Sequence, residues 1–338
     1  MDLLADNRDA ISEHLLSLGW ISAAEKIENM TSAGEGNMNR TLRVTLDSRS
    51  IVLKQSVPYV ARYPDIAAPV ERIAMEAEFY RAVADQSELS RYMPAVLGFD
   101  PGNHLLCLED LGPSSDFMDL YDPDERGGDT TAHNDDLTSL VSWLSELHVL
   151  PNLDRRLPRG LDNHAMRELN HAHIFEIPLT AGNGLTLETG LDSIAEQFTN
   201  DEALRERATA LGQMYLGRKP HDSPKVLLHG DFYPGSWLKH PSSGIKVIDP
   251  EFAFLGPPEF DVGVLLAHLT MCRYEQPELA RLLDNYIPPP GFSHTLVDAF
   301  AGIEVIRRLL GVAQLPLSAT VESKITWLHS ARSMVLGG

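Results

Sequence analysis

Two short stretches place carboxylates directly behind apolar runs. Leu227-Leu228-His229-Gly230-Asp231 is the first, and Val247-Ile248-Asp249-Pro250-Glu251 follows, with Asp249 eighteen residues beyond Asp231. Each acid stands where a buried strand would end and a loop begin, so the pair is expected side by side at one mouth of a sheet. That layout suits metal-assisted phosphoryl transfer: one acid orients an attacking hydroxyl, and the others hold Mg²⁺ on nucleotide phosphates. Either stretch alone reads equally as a strand-ending turn, where Asp, Gly and Pro are common. Their order, behind a glycine-rich segment and a strand lysine, favours the chemistry.

The glycine-rich segment is Gly34-Glu35-Gly36-Asn37-Met38-Asn39. Gly34 and Gly36 would let backbone N–H groups approach phosphate oxygens, although a tight hairpin turn would use the same residues. Asn39 replaces the last glycine of the nucleotide fingerprint, and a strand follows where a dinucleotide fold would need a helix. Lys54 ends the run Ile51-Val52-Leu53, placed for the α- and β-phosphates of a nucleotide. Its expected partner is an acid on the next helix, with Glu76, one turn after Arg72, preferred over Glu71 and Glu78. The alternative is a solvated lysine in a surface pair, worth little.

Asp231 is the expected base for an acceptor hydroxyl, an effect of about 10²–10⁴ in rate. Ser236, five residues on, could reach the metal or a phosphate, while His229 reads as packing that holds the loop. Asp249 and Glu251 offer hard oxygens suited to Mg²⁺, with Pro250 fixing one relative to the other. Asp261 reads as a helix N-terminal acid or a group supporting the site from behind, with the capping role preferred. Arg307 and Arg308 point about 100° apart on a largely apolar helix, so at least one faces the interior or a cleft, with surface pairing left open. Trp237 and Trp327 read as core.

Elements must position these groups. Residues 7–29 suggest one or two short helices, then 42–46 and 51–54 form a hairpin across Asp47–Ser50. Pro69 opens a helix of roughly four turns, proline being favoured at a first helical position. Residues 95–99 and 105–108 add two strands. The polar run 112–135 follows, and 151–190 reads as irregular. Helices are expected over 137–150, 194–216, 260–271, 277–286, 296–310 and 321–335. The expected architecture is α+β and bilobal: a small antiparallel sheet with one long helix over 1–111, a larger mainly helical lobe over 112–338, and a cleft between them.

With 338 residues the chain suits two lobes rather than one core. A formal charge of −20 argues against nucleic acid or an anionic membrane as partner, though not against ATP. Cys107 and Cys272 lack any metal spacing and read as free thiols in a reducing cytosol. No export signal and no bilayer-length apolar run is visible, so a cytoplasmic location is expected.

Assembled, these residues resemble the methylthioribose kinases within the aminoglycoside phosphotransferase and choline kinase-like group. The likeness lies in the glycine loop, Val52–Val60, Leu108-Glu109-Asp110-Leu111, His229-Gly230-Asp231, 247–257 and 300–308. It implies a protein kinase-like fold and transfer of the ATP γ-phosphate to the 1-hydroxyl of a 5-modified ribose in methionine salvage. It further implies that Asn39 and Lys54 contact nucleotide, and that Glu109, Asp110 and Leu111 form a hinge receiving adenine through their backbone. Asp231 would meet the sugar hydroxyl, Asp249 and Glu251 the Mg²⁺–nucleotide, and one or both of Arg307 and Arg308 the substrate. Similar kinases are often homodimers. Phe232-Tyr233-Pro234 departs from the group's usual loop, and the chain looks shortened between hinge and loop. Both differences fall on the acceptor side, which leaves another 5-deoxypentose, an amino alcohol or an aminoglycoside as the rival acceptor.

Overall fold

A computed structural model describes residues 3–4, 7–34, 38–122, 133–157, 161–315 and 317–337. In chain order the elements are α1 (Arg8–Ser17), β1 (Ile27–Ser32), β2 (Arg40–Leu46), β3 (Ser50–Gln55), β4 (Tyr59–Val60), β5 (Tyr63–Ala67), α2 (Arg72–Val83), α3 (Ser87–Ser90), β6 (Val96–Asp100) and β7 (Leu105–Glu109). There follow β8 (Ser115–Asp116), α4 (Asn134–His148), α5 (Leu153–Arg156), α6 (His164–His171), α7 (Asp192–Asn200), α8 (Glu202–Tyr215) and β9 (Val226–Leu228). Last come β10 (Trp237–His240), β11 (Gly244–Val247), β12 (Phe254–Gly256), α9 (Pro258–Met271), α10 (Gln276–Leu283), α11 (His294–Leu310) and α12 (Val321–Leu336). Two compact units form: Met1–Ser114 with His240–Phe252, and Ser115–Lys239 with Ala253–Gly338.

The first unit is built on an antiparallel sheet in the order β1-β2-β3-β7-β6. Alternation in β2 turns Leu42, Val44 and Leu46 to one face. There they join Ile51, Leu53, Leu105 and Cys107 beneath Ile11 and Leu15 of α1. Helix does not continue to residue 29: Gly19, at φ +69°, ends α1 in the left-handed region that glycine enters freely, and residues 27–32 pair with β2. Helix α2 begins at Arg72, three residues after Pro69, and packs against the 3₁₀ turn Pro250–Phe252.

The second unit is mainly helical. Helix α9 is buried on nearly every side, as an apolar helix inside a bundle must be. Its Gly263 permits close approach to α11, because a Cβ there would lie 2.7 Å from Phe300 Cβ. Helix α12 covers α11 similarly at Gly302, where a Cβ would meet the Ala331 carbonyl at 2.5 Å. The single helix expected over 194–216 is split at Asp201, whose side chain accepts from Leu204 N–H at 3.0 Å and so starts α8. Part of the span expected to be irregular is helical: α6 and the turns running to Leu179 bury Met166, Asn170, His171 and Ile174. Its buried stripe contains polar residues, which hid the period.

Strand β9 pairs antiparallel with β12, while β11 belongs to a different sheet. Asp231 and Asp249 therefore do not end neighbouring strands of one sheet, as the sequence suggested. Cys107 and Cys272 are buried and are not joined in a disulfide. Among the described residues, no helix is long and apolar enough to cross a membrane.

Candidate active site

In the first unit, the register of β3 sets Lys54 opposite Leu106 of β7 and Thr41 of β2. Its buried ammonium lies 2.8 Å from Glu76 Oε2 and 2.6 Å from Asp249 Oδ1. Burial alone would strip the lysine of its proton, but Asp249, Glu76 and Glu251 outweigh it and hold the ammonium well above its usual range. Burial pushes the Glu76 carboxyl up to about 7, against the pull of Lys54. Asp249 sits at φ +63°, a backbone region that non-glycine residues enter only under local constraint. From this position, immediately before Pro250, Asp249 meets the lysine.

Arg72 is fully buried and organises the other acid. Its Nε donates to Asn39 Oδ1 at 2.9 Å and lies 3.4 Å from Glu251 Oε2. Its remaining nitrogens donate to the carbonyls of Met38, Val57 and Pro69 at 2.7, 2.9 and 2.6 Å. Asn39 Nδ2 donates to Glu251 Oε2 at 2.7 Å, and Ser56 Oγ donates to Asn39 Oδ1 at 3.2 Å. The Asn39 amide is thus committed to this network. Gly34 stands at φ +80°, and Gly36 lies outside the described residues.

The carboxylates of the expected hinge make structural contacts. Asp110 accepts from Ser50 Oγ, from Arg43 Nε at 2.9 Å and from Gly112 N–H at 2.9 Å. Glu109 accepts from Ala95 N–H at 3.0 Å. Leu111 lies two residues beyond the end of β7.

Asp249 and Glu251 fit Mg²⁺ by their chemistry. Both are hard oxygen donors one residue apart, and the Asp249 side chain is 42% exposed. Three carboxylates, Glu76, Asp249 and Glu251, face two cations, Lys54 and Arg72, so the cluster carries one net negative charge when all three acids are ionised. Among the described residues no group of three or more His, Cys, Asp or Glu side chains could hold a metal alone.

The second unit holds Asp231 after β9. Two fixtures hold its loop: Phe232 stacks on Trp143 at 5.5 Å, and Asp261 accepts the N–H groups of His229 and Gly230 at 2.7 and 3.0 Å. Asp261, an acid in the first turn of α9, ties down the loop, the supporting role the sequence left open beside a cap. His229 is buried edge-on between Trp143 and Phe232, and Trp237 lies in the same aromatic core. Ser236, expected near the metal, donates its hydroxyl to the Asp231 carbonyl at 2.9 Å.

Asp231 Oδ1 accepts from Arg308 Nη2 at 3.0 Å and lies 3.5 Å from Arg307 Nη1. Both arginines also meet Glu304, one turn earlier on α11: Arg308 Nε at 2.6 Å from Oε1, Arg307 Nη1 at 3.1 Å from Oε2. Glu304 Oε1 lies 3.1 Å from His268 Nε2, and His268 Nδ1 meets the Tyr121 hydroxyl. The Arg308 guanidinium lies 4.8 Å above the Tyr233 ring.

Arg72, Glu304, His268 and Tyr121 were not assigned from sequence. The spacing Glu304–Arg307–Arg308 carried a signal, since residues three and four apart share a helix face. Nothing local marked His268 or Tyr121.

The profile of the phosphotransferase enzyme family (APH) matches residues 29–293. The methylthioribose kinase of Exiguobacterium sibiricum is 28% identical over 292 residues, covering 83% of this chain and 69% of that protein. That of Geobacillus thermodenitrificans is 26% identical over 340 residues, covering 88% and 83%. Among solved structures, the choline kinase LicA from Streptococcus pneumoniae superposes with TM-score 0.55 at 12% identity, covering 97% of this chain and 98% of that one. A spectinomycin phosphotransferase in complex with ADP and spectinomycin gives TM-score 0.53 at 12% identity, covering 96% and 97%. At such identity these two show a shared kinase-like fold.

Proposed function

The chain belongs to the phosphotransferase enzyme family as a small-molecule kinase with an alcohol acceptor, and from that premise we propose that it transfers the ATP γ-phosphate to the 1-hydroxyl of 5-methylthioribose. The observation that carries the acceptor assignment is Asp231 held by Arg307 and Arg308, with Glu304 balancing the second positive charge. A charge-balanced cluster suits a neutral sugar better than a cationic amine, and the relatives named methylthioribose kinase point the same way.

On this reading the nucleotide-binding lobe is 1–111 and the catalytic lobe 112–338, with the metal acids of 249–251 packed against α2. Lys54, fixed by Glu76, binds phosphate oxygens. The Glu109–Leu111 backbone receives adenine, and Gly34 and Gly36 line the phosphate loop. Asp249 and Glu251 hold Mg²⁺, which when bound would neutralise charge on the phosphates. Asn39 and Arg72 orient Glu251. Asp231 accepts the proton of the acceptor hydroxyl, with Arg307 and Arg308 orienting acid and sugar. Ser236 supports the loop, and we leave it out of the metal set.

The rival acceptors stay within the same chemistry. Tyr233, whose ring covers Arg308, stands in the loop stretch that departs from the group's usual sequence, which favours an altered acceptor. ADP release measured with 5-methylthioribose, 5-deoxyribose, choline and kanamycin separates the readings. Turnover is expected with the first two; activity on choline or kanamycin alone refutes the sugar assignment.

A further inference from the structure

We propose that Glu304 is a positioning residue that divides the guanidinium groups of Arg307 and Arg308 between itself and Asp231, so that Asp231 keeps one oxygen for the acceptor hydroxyl. This rests on the reading of Asp231 as the base.

Glu304 makes the shorter contact with each arginine: 2.6 Å against 3.0 Å for Arg308, and 3.1 Å against 3.5 Å for Arg307. Both contacts to Asp231 fall on Oδ1, which leaves Oδ2 for the substrate. The spacing follows from α11 itself, because residues 304, 307 and 308 lie on one face. In so dry a site two guanidiniums facing one carboxylate would be strongly attracted to it. A second buried acid is what limits that attraction.

Glu304 is held in turn from behind. Burial alone would raise its carboxyl, but Arg307, Arg308 and His268 outweigh burial and keep it ionised. An ionised carboxylate only accepts, so His268 Nε2 must carry the hydrogen that meets Oε1. Burial holds His268 neutral, so Nδ1 is an acceptor and the Tyr121 hydroxyl must be its donor. Tyr121, His268 and Glu304 therefore form a chain of one polarity ending on the arginines. Cys272 at the end of α9 and Tyr233 of the loop act electrostatically on Tyr121, Tyr233 also on Arg308, and Arg307 acts on Tyr215 of α8 and His173 after α6.

The test is a set of variants assayed with 5-methylthioribose and ATP. Glu304→Gln should lower kcat about 100-fold, as an ångström-scale misplacement does, while nucleotide KM changes less than about twofold. Adding Arg308→Gln should return roughly tenfold of that loss, with a higher acceptor KM, since Asp231 is released from one cation. Glu304→Asp keeps the buried charge but withdraws it by one methylene. If Glu304→Gln fails to fold, the aspartate variant carries the same test, with about tenfold lost and relief by Arg308→Gln. A kcat within about threefold of wild type, or a double variant no faster than the Glu304 single variant, overturns the proposal. Asp231→Asn separates the two ideas: if it is inactive while Glu304→Gln is fully active, only this inference fails. If Asp231→Asn stays active, the reading beneath it fails as well.

Discussion

The two clusters close their charges differently. In the first unit Glu76, Asp249 and Glu251 outnumber Lys54 and Arg72, and Asp249 keeps a partly exposed side chain. In the second, Asp231 and Glu304 are matched one for one by Arg307 and Arg308, and the neighbouring His268 is neutral. An acid-rich cluster gains by taking up a cation. A balanced one presents a fixed oxygen and little net charge, which suits a neutral partner. On the proposed reading, the acid-rich cluster would take the metal–nucleotide and the balanced one the alcohol.

The sharpest way to break this comparison is a pair of isosteric changes. Asp231→Asn should cost about 10²–10⁴ in kcat while leaving nucleotide affinity within about twofold. Asp249→Asn should lower both turnover and affinity for the metal–nucleotide, read by titration calorimetry. Equal losses of nucleotide affinity in the two variants would erase the distinction.

Stability comes next. Arg72→Leu removes the buried guanidinium that faces Glu251 and Asn39 and should lower the unfolding free energy by about 3–5 kcal/mol, read by urea denaturation. Asn39→Ala removes one neutral bridge from the same network and should cost about 1–3 kcal/mol in the same assay. If the two changes cost the same, Arg72 is not what organises the cluster.

The smallest effect is one of sign. Glu76 binds its proton more tightly when folded, up to about 7 against 4.5, so its contribution to stability falls as pH rises through that window. His268 binds its proton less tightly when folded, down to about 4 against 6.5, so its contribution falls as pH drops from 6.5 toward 4. Each slope is at most about 1.4 kcal/mol per pH unit. Without nucleotide and metal, Glu76→Gln should therefore gain relative to wild type as pH rises, and His268→Gln as it falls, followed by thermal melting. Parallel profiles would mean that neither group titrates as its burial requires.

Much of the frame was legible beforehand. The β2–β3 hairpin, the strand lysine and the apolar character of helices α9, α11 and α12 were visible in the sequence. Errors came where a local signal was faint or shared. The strand at 27–32 followed a helical pattern, and Gly19 was the only mark of the change. Residues 164–179 turn helical with a buried polar stripe, so a rule seeking apolar spacing misses them. Asp261 had the sequence setting of a helix N-terminal acid, and only the fold showed that it holds the N–H groups of His229 and Gly230.

The chain alone determined which chemistry was on offer. A lysine closing an apolar strand, acids behind apolar runs and paired arginines on a helix are covalent facts, and their local spacing limits what they can do. Only folding decided which of them meet. Asn39 and Glu251 stand 212 residues apart, and Tyr121 and His268 stand 147 apart. No local periodicity reaches so far, because such contacts exist only once the packed elements bring burial and charge to the same place.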